Sequence, residues 1–368
     1  MLDSINLHDP TTAIFVDDKL VNVIAARSFG IHGIVCKSSA QVIRQLRNEL
    51  LNPIPRAREY MEINARKHVS RIENGAELHD VFSQFLIHHV LQDSKIINLS
   101  TPGTPEAEVA GKIATAGREA QTWNYFIGQP QGTTSTFPDD VDDTAIALLA
   151  FSPPASSAAQ VLDQILTLRH AQDGLVQTYF DERRPRVCPW VLVNVVRAFY
   201  HYRRGADVQN ELQYVTCVLK SRAYVDGSDY YASAEPFLYF LSCLVHANPG
   251  VAEVQALRVP LANACQERVG RRDDAFAVAA RVLACQALGV WAASDVSYLK
   301  DLQQSDGGWE QGWVCCYGRS KKRIGNRKSS SMYKMYARRP LTSYAYLGGV
   351  VTAFAIKALE QDAEGVCS

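Results

Sequence analysis

The sequence predicts a mainly α-helical protein, an α/α barrel preceded by a small α/β segment. Three observations carry this. From about residue 105 to 360, apolar segments of helical length recur every few tens of residues, with Gly, Pro and Asp between them. Before them, residues 13–50 alternate short strand-like and helix-like stretches, the order of a parallel βαβ unit. Between the two lies NLSTPGTPEAE, with two prolines and a glycine, which reads as a linker. The expected division is therefore 1–98, a linker at 99–108, and a helical domain at 109–368.

In the first segment AIFVDD reads as a strand ending in two carboxylates, Asp17 and Asp18. KLVNVIAARSFG has helical spacing and ends at Gly30. HGIVCK is a second strand and SAQVIRQLRNEL a second helix. REYMEINARKH and ELHDVFSQFLIHHVLQ then read as amphipathic helices separated at Gly75. In the second segment TAIALLAF, SAAQVLDQILTLRHA, PWVLVNVVRAFYHYRR, AEPFLYFLSCLVHA, DAFAVAARVLACQALG and GGVVTAFAIKALE are helices that cannot each bury an apolar face alone. A closed ring of helical hairpins would cover all of them. QQSDGGW places Gln303, Gly307 and Trp309 in Q-x3-G-x-W spacing, and AQDGLVQTYF is a looser copy. The glycine permits a tight turn and the aromatic packs back on the next helix.

Composition narrows the function classes. The chain has 368 residues, 38 Lys and Arg against 38 Asp and Glu, and 47% hydrophobic residues. Zero net charge argues against a general nucleic-acid binder. No run of about 18 apolar residues suggests an integral membrane segment. MLDSINLHDP lacks the basic and apolar parts of a signal peptide. Nine scattered cysteines without metal spacing read as reduced thiols in a cytoplasmic protein. No pattern sets an oligomeric state.

The densest chemistry lies in FPDDVDDTAIA, where Asp139, Asp140, Asp142 and Asp143 run into an apolar helix. Capping explains one or two of them, because carboxylates in a first turn accept free N–H groups. Four repel one another, which raises at least one pKa. Aromatics crowd helix starts and loops nearby, including Trp123, Tyr179, Trp190, Tyr230, Tyr231 and Trp309, though any single one is explained by core packing. A protonated carboxyl in a dry aromatic cavity suits alkene protonation, since ring quadrupoles hold a carbocation that water would quench.

Asp140-Val141-Asp142-Asp143-Thr144-Ala145 resembles the DxDD motif of class II terpene cyclases, and the Gln303/Gly307/Trp309 spacing resembles their QW repeat. That resemblance implies a terpene cyclase β-domain type of α/α barrel. It implies Asp142 as proton donor, with Asp140 and Asp143 tuning it. The basic stretch 319–339, RSKKRIGNRKSSSMYKMYARR, holds no acidic residue and would clamp a diphosphate through Lys334, Arg338, Arg339 and Arg327; a solvated loop is the plain alternative. Trp123 and Trp309 are the aromatic substrate-binding candidates.

DPTTAIFVDDKLVNVIAARSFGIHGI resembles motif IV of haloacid dehalogenase-like phosphatases, which implies Asp17 and Asp18 as metal acids and Mg2+ as cofactor. That family's nucleophile lies in a DxDxT motif, and none precedes Asp17 here, so phosphatase activity is expected to be lost. The order of the two segments resembles fungal drimane-type sesquiterpene synthases. The implied reaction is protonation of farnesyl diphosphate and closure to a bicyclic drimane-type diphosphate of the drimenol or albicanol type. Two other readings stand beside it. One is a non-catalytic helical-toroid binding protein derived from such an enzyme. The other is a prenyltransferase-like barrel, which would need a zinc set; Cys188, Cys217 and His246 are available but are not suggestively spaced.

Overall fold

A computed structural model describes residues 8–71, 77–131, 133–310, 312–317, 343–346 and 348–365. The first segment forms β1 (Ile14–Asp17), α1 (Leu20–Ser28), β2 (His32–Val35) and α2 (Ser39–Leu50). β1 and β2 pair in parallel, from Ile14 opposite His32 to Asp17 opposite Val35. Ser38 caps α2 through the N–H of Gln41. This is the expected strand–helix–strand–helix order.

The remaining elements are α3 (Pro53–Ile63), β3 (Ser70–Arg71), β4 (Glu77–Leu78), α4 (Val81–Leu91), α5 (Glu106–Ala116), α6 (Val141–Phe151), α7 (Ala155–Thr167), α8 (Pro189–His201), α9 (Gln209–Lys220), α10 (Glu235–Ala247), α11 (Ala252–Gln255), α12 (Arg258–Gln266), α13 (Ala275–Leu288), α14 (Ala293–Asp301), β5 (Trp313–Tyr317), β6 (Ser343–Tyr346) and α15 (Gly348–Gly365). Helices α4, α6, α8, α10, α13 and α15 each pack against the next, and α15 closes back on α4. They make a ring of six inner helices. Around them α3, α5, α7, α9, α12 and α14 alternate in chain order as an outer layer. One continuous apolar core runs through both layers. Inner helices are apolar on every side because each is covered by two neighbours and an outer helix; α13, for instance, buries twelve of its fourteen residues.

Two boundaries differ from the expectation. Helices α3 and α4 belong to the barrel, not to the first segment: α4 is one of the six inner helices and α3 packs on α15. Burial of Phe82, Phe85, Leu86 and Ile87 explains this, since that face has no other cover. Helix α4 also starts at Val81, capped by Asp80, and Glu77–Leu78 is strand. It joins a four-stranded antiparallel sheet in the order β4-β3-β6-β5, which the helical periodicity of the sequence does not announce. The basic stretch 319–339, with Arg327, Lys334, Arg338 and Arg339, lies outside the described residues.

The Gln303–Trp309 turn behaves as a clamp between outer elements. Gln303 Nε2 donates to the carbonyls of Pro53 (2.9 Å) and Gly307 (2.8 Å). The Trp309 indole N–H donates to the carbonyl of Leu299 (2.7 Å). Gly307 has φ +94°, and a Cβ there would stand 2.3 Å from the carbonyl oxygen of Arg56. The turn therefore locks α14 to the start of α3 and closes the outer layer. We expect Gly307→Ala to lower stability by more than about 1 kcal/mol, read as a fall in thermal unfolding midpoint, while a Gly250→Ala control, with open space around it and no left-handed backbone, loses less.

Candidate active site

The N-termini of the neighbouring inner helices α4 and α6 lie on one rim. Short backbone bridges stitch that rim together: Asp80 with Phe126, Trp123 with Asp140, and Asp140 with Tyr179. The first turn of α6 is thus held on both sides before any side chain acts. Asp140 is the N-cap, accepting the N–H of Asp143 at 2.8 Å. Thr144 Oγ1 donates to the Asp140 carbonyl at 2.7 Å and accepts the N–H of Trp123 at 3.0 Å. Asp139 stands apart and takes a hydrogen bond from Thr122 Oγ1 at 2.5 Å. Capping and crowding are both real: Asp140 caps, and Asp142 and Asp143 are carboxyl groups beyond what the cap needs.

Asp142 keeps 9% exposure against 1% for Asp143, and its two oxygens reach other elements. Oδ1 accepts from Asn194 Nδ2 of α8 at 2.8 Å. Oδ2 meets the hydroxyl of Tyr231, in the loop before α10, at 2.5 Å. Gly227 makes that loop possible. Its φ is +80°, and a Cβ would lie 2.6 Å from the Tyr231 carbonyl. Ser228 Oγ then accepts the N–H groups of Tyr230 and Tyr231. Behind Asn194, Arg197 Nη1 donates to Asn194 Oδ1 at 2.8 Å and Nη2 to His89 Nε2 of α4 at 2.9 Å. Aromatic rings surround Tyr231: Phe82 at 5.9 Å, Phe240 at 6.1 Å and Trp190 stacked at 6.5 Å.

Burial raises the pKa of Asp142, and the hydrogen bonds from Tyr231 and Asn194 and the Arg197 charge pull it back. Burial pushes Asp140 up to about 7, with the neighbouring Asp142 charge adding to it. Burial, then the Asp140 charge, holds Asp143 well above the usual carboxylate range, and it shares a hydrogen bond with Asp140. Asp80 caps α4 on the same rim and is raised to about 6 by burial. The site is therefore a buried carboxyl cluster that favours its protonated forms, with one member, Asp142, buttressed by donors and faced by rings.

The other expected residues fall differently. Trp123 is beside the cluster: its backbone pairs with Asp140 and its ring meets Phe85 edge-on at 4.9 Å. Trp309 is not; it is buried in the clamp between α14 and α15, with its N–H spent on Leu299 and its backbone on Thr352. Asn194, Arg197 and His89 were not singled out in the sequence. The available signal is PWVLVNVVRAFYH, an apolar helix carrying Asn and Arg three residues apart, hence on one buried face.

Residues 54–202 match the family model of the sesquiterpene cyclase astC-like C-terminal domain. The chain is 36% identical over 347 residues to the drimenol cyclase drtB of Aspergillus calidoustus, covering 94% of this chain and 58% of that protein. It thus spans a little over half the length of the curated relative it matches. Among solved structures, a variant of the type II terpene cyclase MstE from Scytonema, in complex with geranylgeranyl dihydroxybenzoate, superposes with TM-score 0.55 at 15% identity, covering 88% of this chain and 99% of that one. A protein from Actinoplanes gives TM-score 0.52 at 16% identity, covering 84% and 98%. These likenesses place the fold with the helical barrel of type II terpene cyclases.

They also correct the cofactor. Class II terpene cyclases use protonation by an acid and no metal, so Mg2+ is withdrawn. Among the described residues no group of three or more His, Cys, Asp or Glu is arranged to hold an ion. Asp17, expected with Asp18 to bind one, instead turns the chain into α1: Oδ1 accepts the N–H of Lys19 at 2.7 Å and Oδ2 the amide of Asn22 at 3.0 Å. Cys188, Cys217 and His246 are not gathered either; Cys188 is buried and Cys217 exposed. Among the described residues no helix is long and apolar enough to cross a membrane.

The raised carboxyl groups set a pH dependence of stability. A folded pKa above the unfolded one contributes stability that is full below the unfolded value of 3.8 and lost as pH rises through the folded value, about 7 for Asp140. Asp143 shifts the same way. His68 and His89, lowered by burial to about 4 and about 3, act oppositely below pH 6.5. For Asp140 the loss runs from pH 3.8 to about 7, and the histidines oppose it below pH 6.5, so the carboxyl part is read as a difference between proteins. The thermal midpoint of Asp140→Asn relative to wild type is expected to rise as pH goes from about 4 to about 7 and to level off above that. A difference that stays constant or falls over this range would contradict the assigned burial.

Proposed function

We propose that this protein is a class II sesquiterpene cyclase that protonates farnesyl diphosphate and closes it to a bicyclic drimane-type diphosphate. The observation that carries this is Asp142: a buried, protonation-prone carboxyl pinned by Asn194 and Tyr231 against a group of aromatic rings. The similarity to drimenol cyclase drtB supports the choice of skeleton. No cofactor is invoked.

The step needs an acid strong enough to protonate an alkene and dry enough to keep its proton for it. Burial favours the protonated form of Asp142, and the donors on its oxygens stabilise the carboxylate once the proton leaves. The proton adds to the less substituted carbon of the terminal alkene, leaving a tertiary cation. The two remaining alkenes attack in turn, forming two C–C bonds. Loss of one proton from the last cation ends the sequence, so the overall change is an isomerisation and the C–O bond to diphosphate stays intact. The rings of Phe82 and Trp190 pack on Tyr231, which bonds to Asp142, so aromatic faces suited to a cation lie close to the acid; Trp123 lies beside the same cluster. Asp140 and Asp143 hold the first turn and keep the local charge low by sharing a proton. The diphosphate clamp is assigned to Lys334, Arg338, Arg339 and Arg327, on sequence alone. The haloacid dehalogenase-like reading of the first segment rests on its sequence pattern.

Purified protein incubated with farnesyl diphosphate, followed by added phosphatase, is expected to yield a bicyclic alcohol on gas chromatography. Asp142→Asn, which keeps shape and hydrogen bonding but has no acidic proton, is expected to lower kcat by at least about 100-fold with the fold retained. Full turnover by Asp142→Asn would remove Asp142 as the acid. A folded wild-type protein that gives no cyclised product from any C15 or C20 diphosphate would favour the non-catalytic toroid.

A further inference from the structure

Arg197 is a buried cation inside an apolar ring, and the alkene chemistry above does not require one there. It is 5% exposed and lies over the ring of Phe240 at 5.2 Å. Among the described residues it bonds to the side-chain amide oxygen of Asn194 and to Nε2 of His89. A guanidinium has five donors and no acceptor. It therefore dictates the orientation of both partners. Asn194 must turn its oxygen to Arg197 and its NH2 to Asp142. His89 must accept through Nε2, and burial, then the Arg197 charge, keeps it neutral.

Asp142 thus has two unlike neighbours. The Tyr231 hydroxyl can accept from a protonated carboxyl or donate to a carboxylate, so it follows the proton. Asn194, locked by Arg197, can only donate. A donor that cannot reverse favours the ionised form, because its bond is stronger to a carboxylate than to a neutral acid. We propose, on the strength of the cyclase reading above, that Arg197 is a positioning residue that fixes Asn194 as a one-way donor to Asp142 and so strengthens the acid without touching the substrate. His89 holds the far side of Arg197 and keeps the three groups in line across α4, α8 and α6.

The other ionisable groups around the pair leave this effect distinguishable. From α4 come Asp80, His88 and His89; from α6, Asp140 and Asp143; from α8, Cys188 and His201; from α10, Tyr239 and Cys243. Burial holds the histidines down, and it pushes Tyr239 up and Cys188 to about 11, so these stay uncharged near neutrality. Asp80, Asp140 and Asp143 titrate, but no hydrogen bond joins them to Arg197 among the described residues.

The test is the pH profile of kcat with farnesyl diphosphate for wild type, Arg197→Met, Arg197→Lys and Asn194→Leu. Activity needs protonated Asp142, so it falls as pH rises through the pKa of that group. Removing the one-way donor raises that pKa. Arg197→Met is expected to move the alkaline limb up by about one pH unit and to cut kcat by about threefold to thirtyfold, with KM changed less than about threefold. Arg197→Lys, which keeps the charge and a donor, should recover part of both effects. Asn194→Leu should move the limb in the same direction, which serves if Arg197→Met does not fold. A folded Arg197→Met with an unmoved limb, whatever its kcat, overturns the proposal and leaves Arg197 a packing residue. Asp142→Asn run alongside separates the cases: if it stays active the cyclase reading fails, and if it is dead while the limb is unmoved only the role of Arg197 fails.

Discussion

The hydrogen bonds from Asn194 and Tyr231 to Asp142 are where the barrel and its chemistry meet. They span three separate pieces of chain: the first turn of α6, the middle of α8 and the loop before α10. No local segment could hold them. They exist because six inner helices close a ring and set α6, α8 and α10 side by side. A carboxyl group alone at that depth would cost several kcal/mol if charged, and the cheaper state is the protonated one. Burial in the ring therefore raises the pKa of Asp142. The neighbours then decide how readily it releases the proton.

The surrounding polar groups divide into those that hold structure and those that set charge. A second buried network joins Arg281 to Asp295, Glu235 and Asp273, between α13, α14 and the start of α10. Its cation is met directly by carboxylates in the wall between inner and outer layers, so it pins helices. The Arg197 group differs: its cation faces a neutral histidine and an amide, not a carboxylate. Its charge is left to act on Asp142 through Asn194. Around both networks the core is apolar and aromatic, which is the dry setting that carbocation chemistry requires.

Much of this was legible in the sequence because it rests on local rules. The helical barrel follows from apolar repeats that cannot bury themselves singly, and the DVDDTA stretch holds visibly more acids than a cap can use. Gly307 and Trp309 read correctly as a tight turn with a returning aromatic, although Trp309 serves the outer wall and not the acid site. What could not be read depends on closure in three dimensions. The membership of α4 in the ring, the short sheet that β3 and β4 join, and the meeting of Asn194, Arg197 and His89 all link residues far apart in the chain. Asn194 and Arg197 left only a faint mark, two polar residues on one face of an apolar helix. Asp17 and Asp18 misled because two acids after a strand suit a metal and a helix start equally well.

The central claim is that the reaction begins with a proton carried by Asp142. Turnover of farnesyl diphosphate in D2O by protein equilibrated in the same solvent tests it directly, with the product examined by mass spectrometry and NMR. The account predicts one deuterium per molecule, on the ring carbon derived from the less substituted end of the terminal alkene, since the buried acid exchanges with solvent between turnovers. A cyclised product with no deuterium at that carbon would mean that ring closure starts some other way, and the role assigned to Asp142 would be wrong.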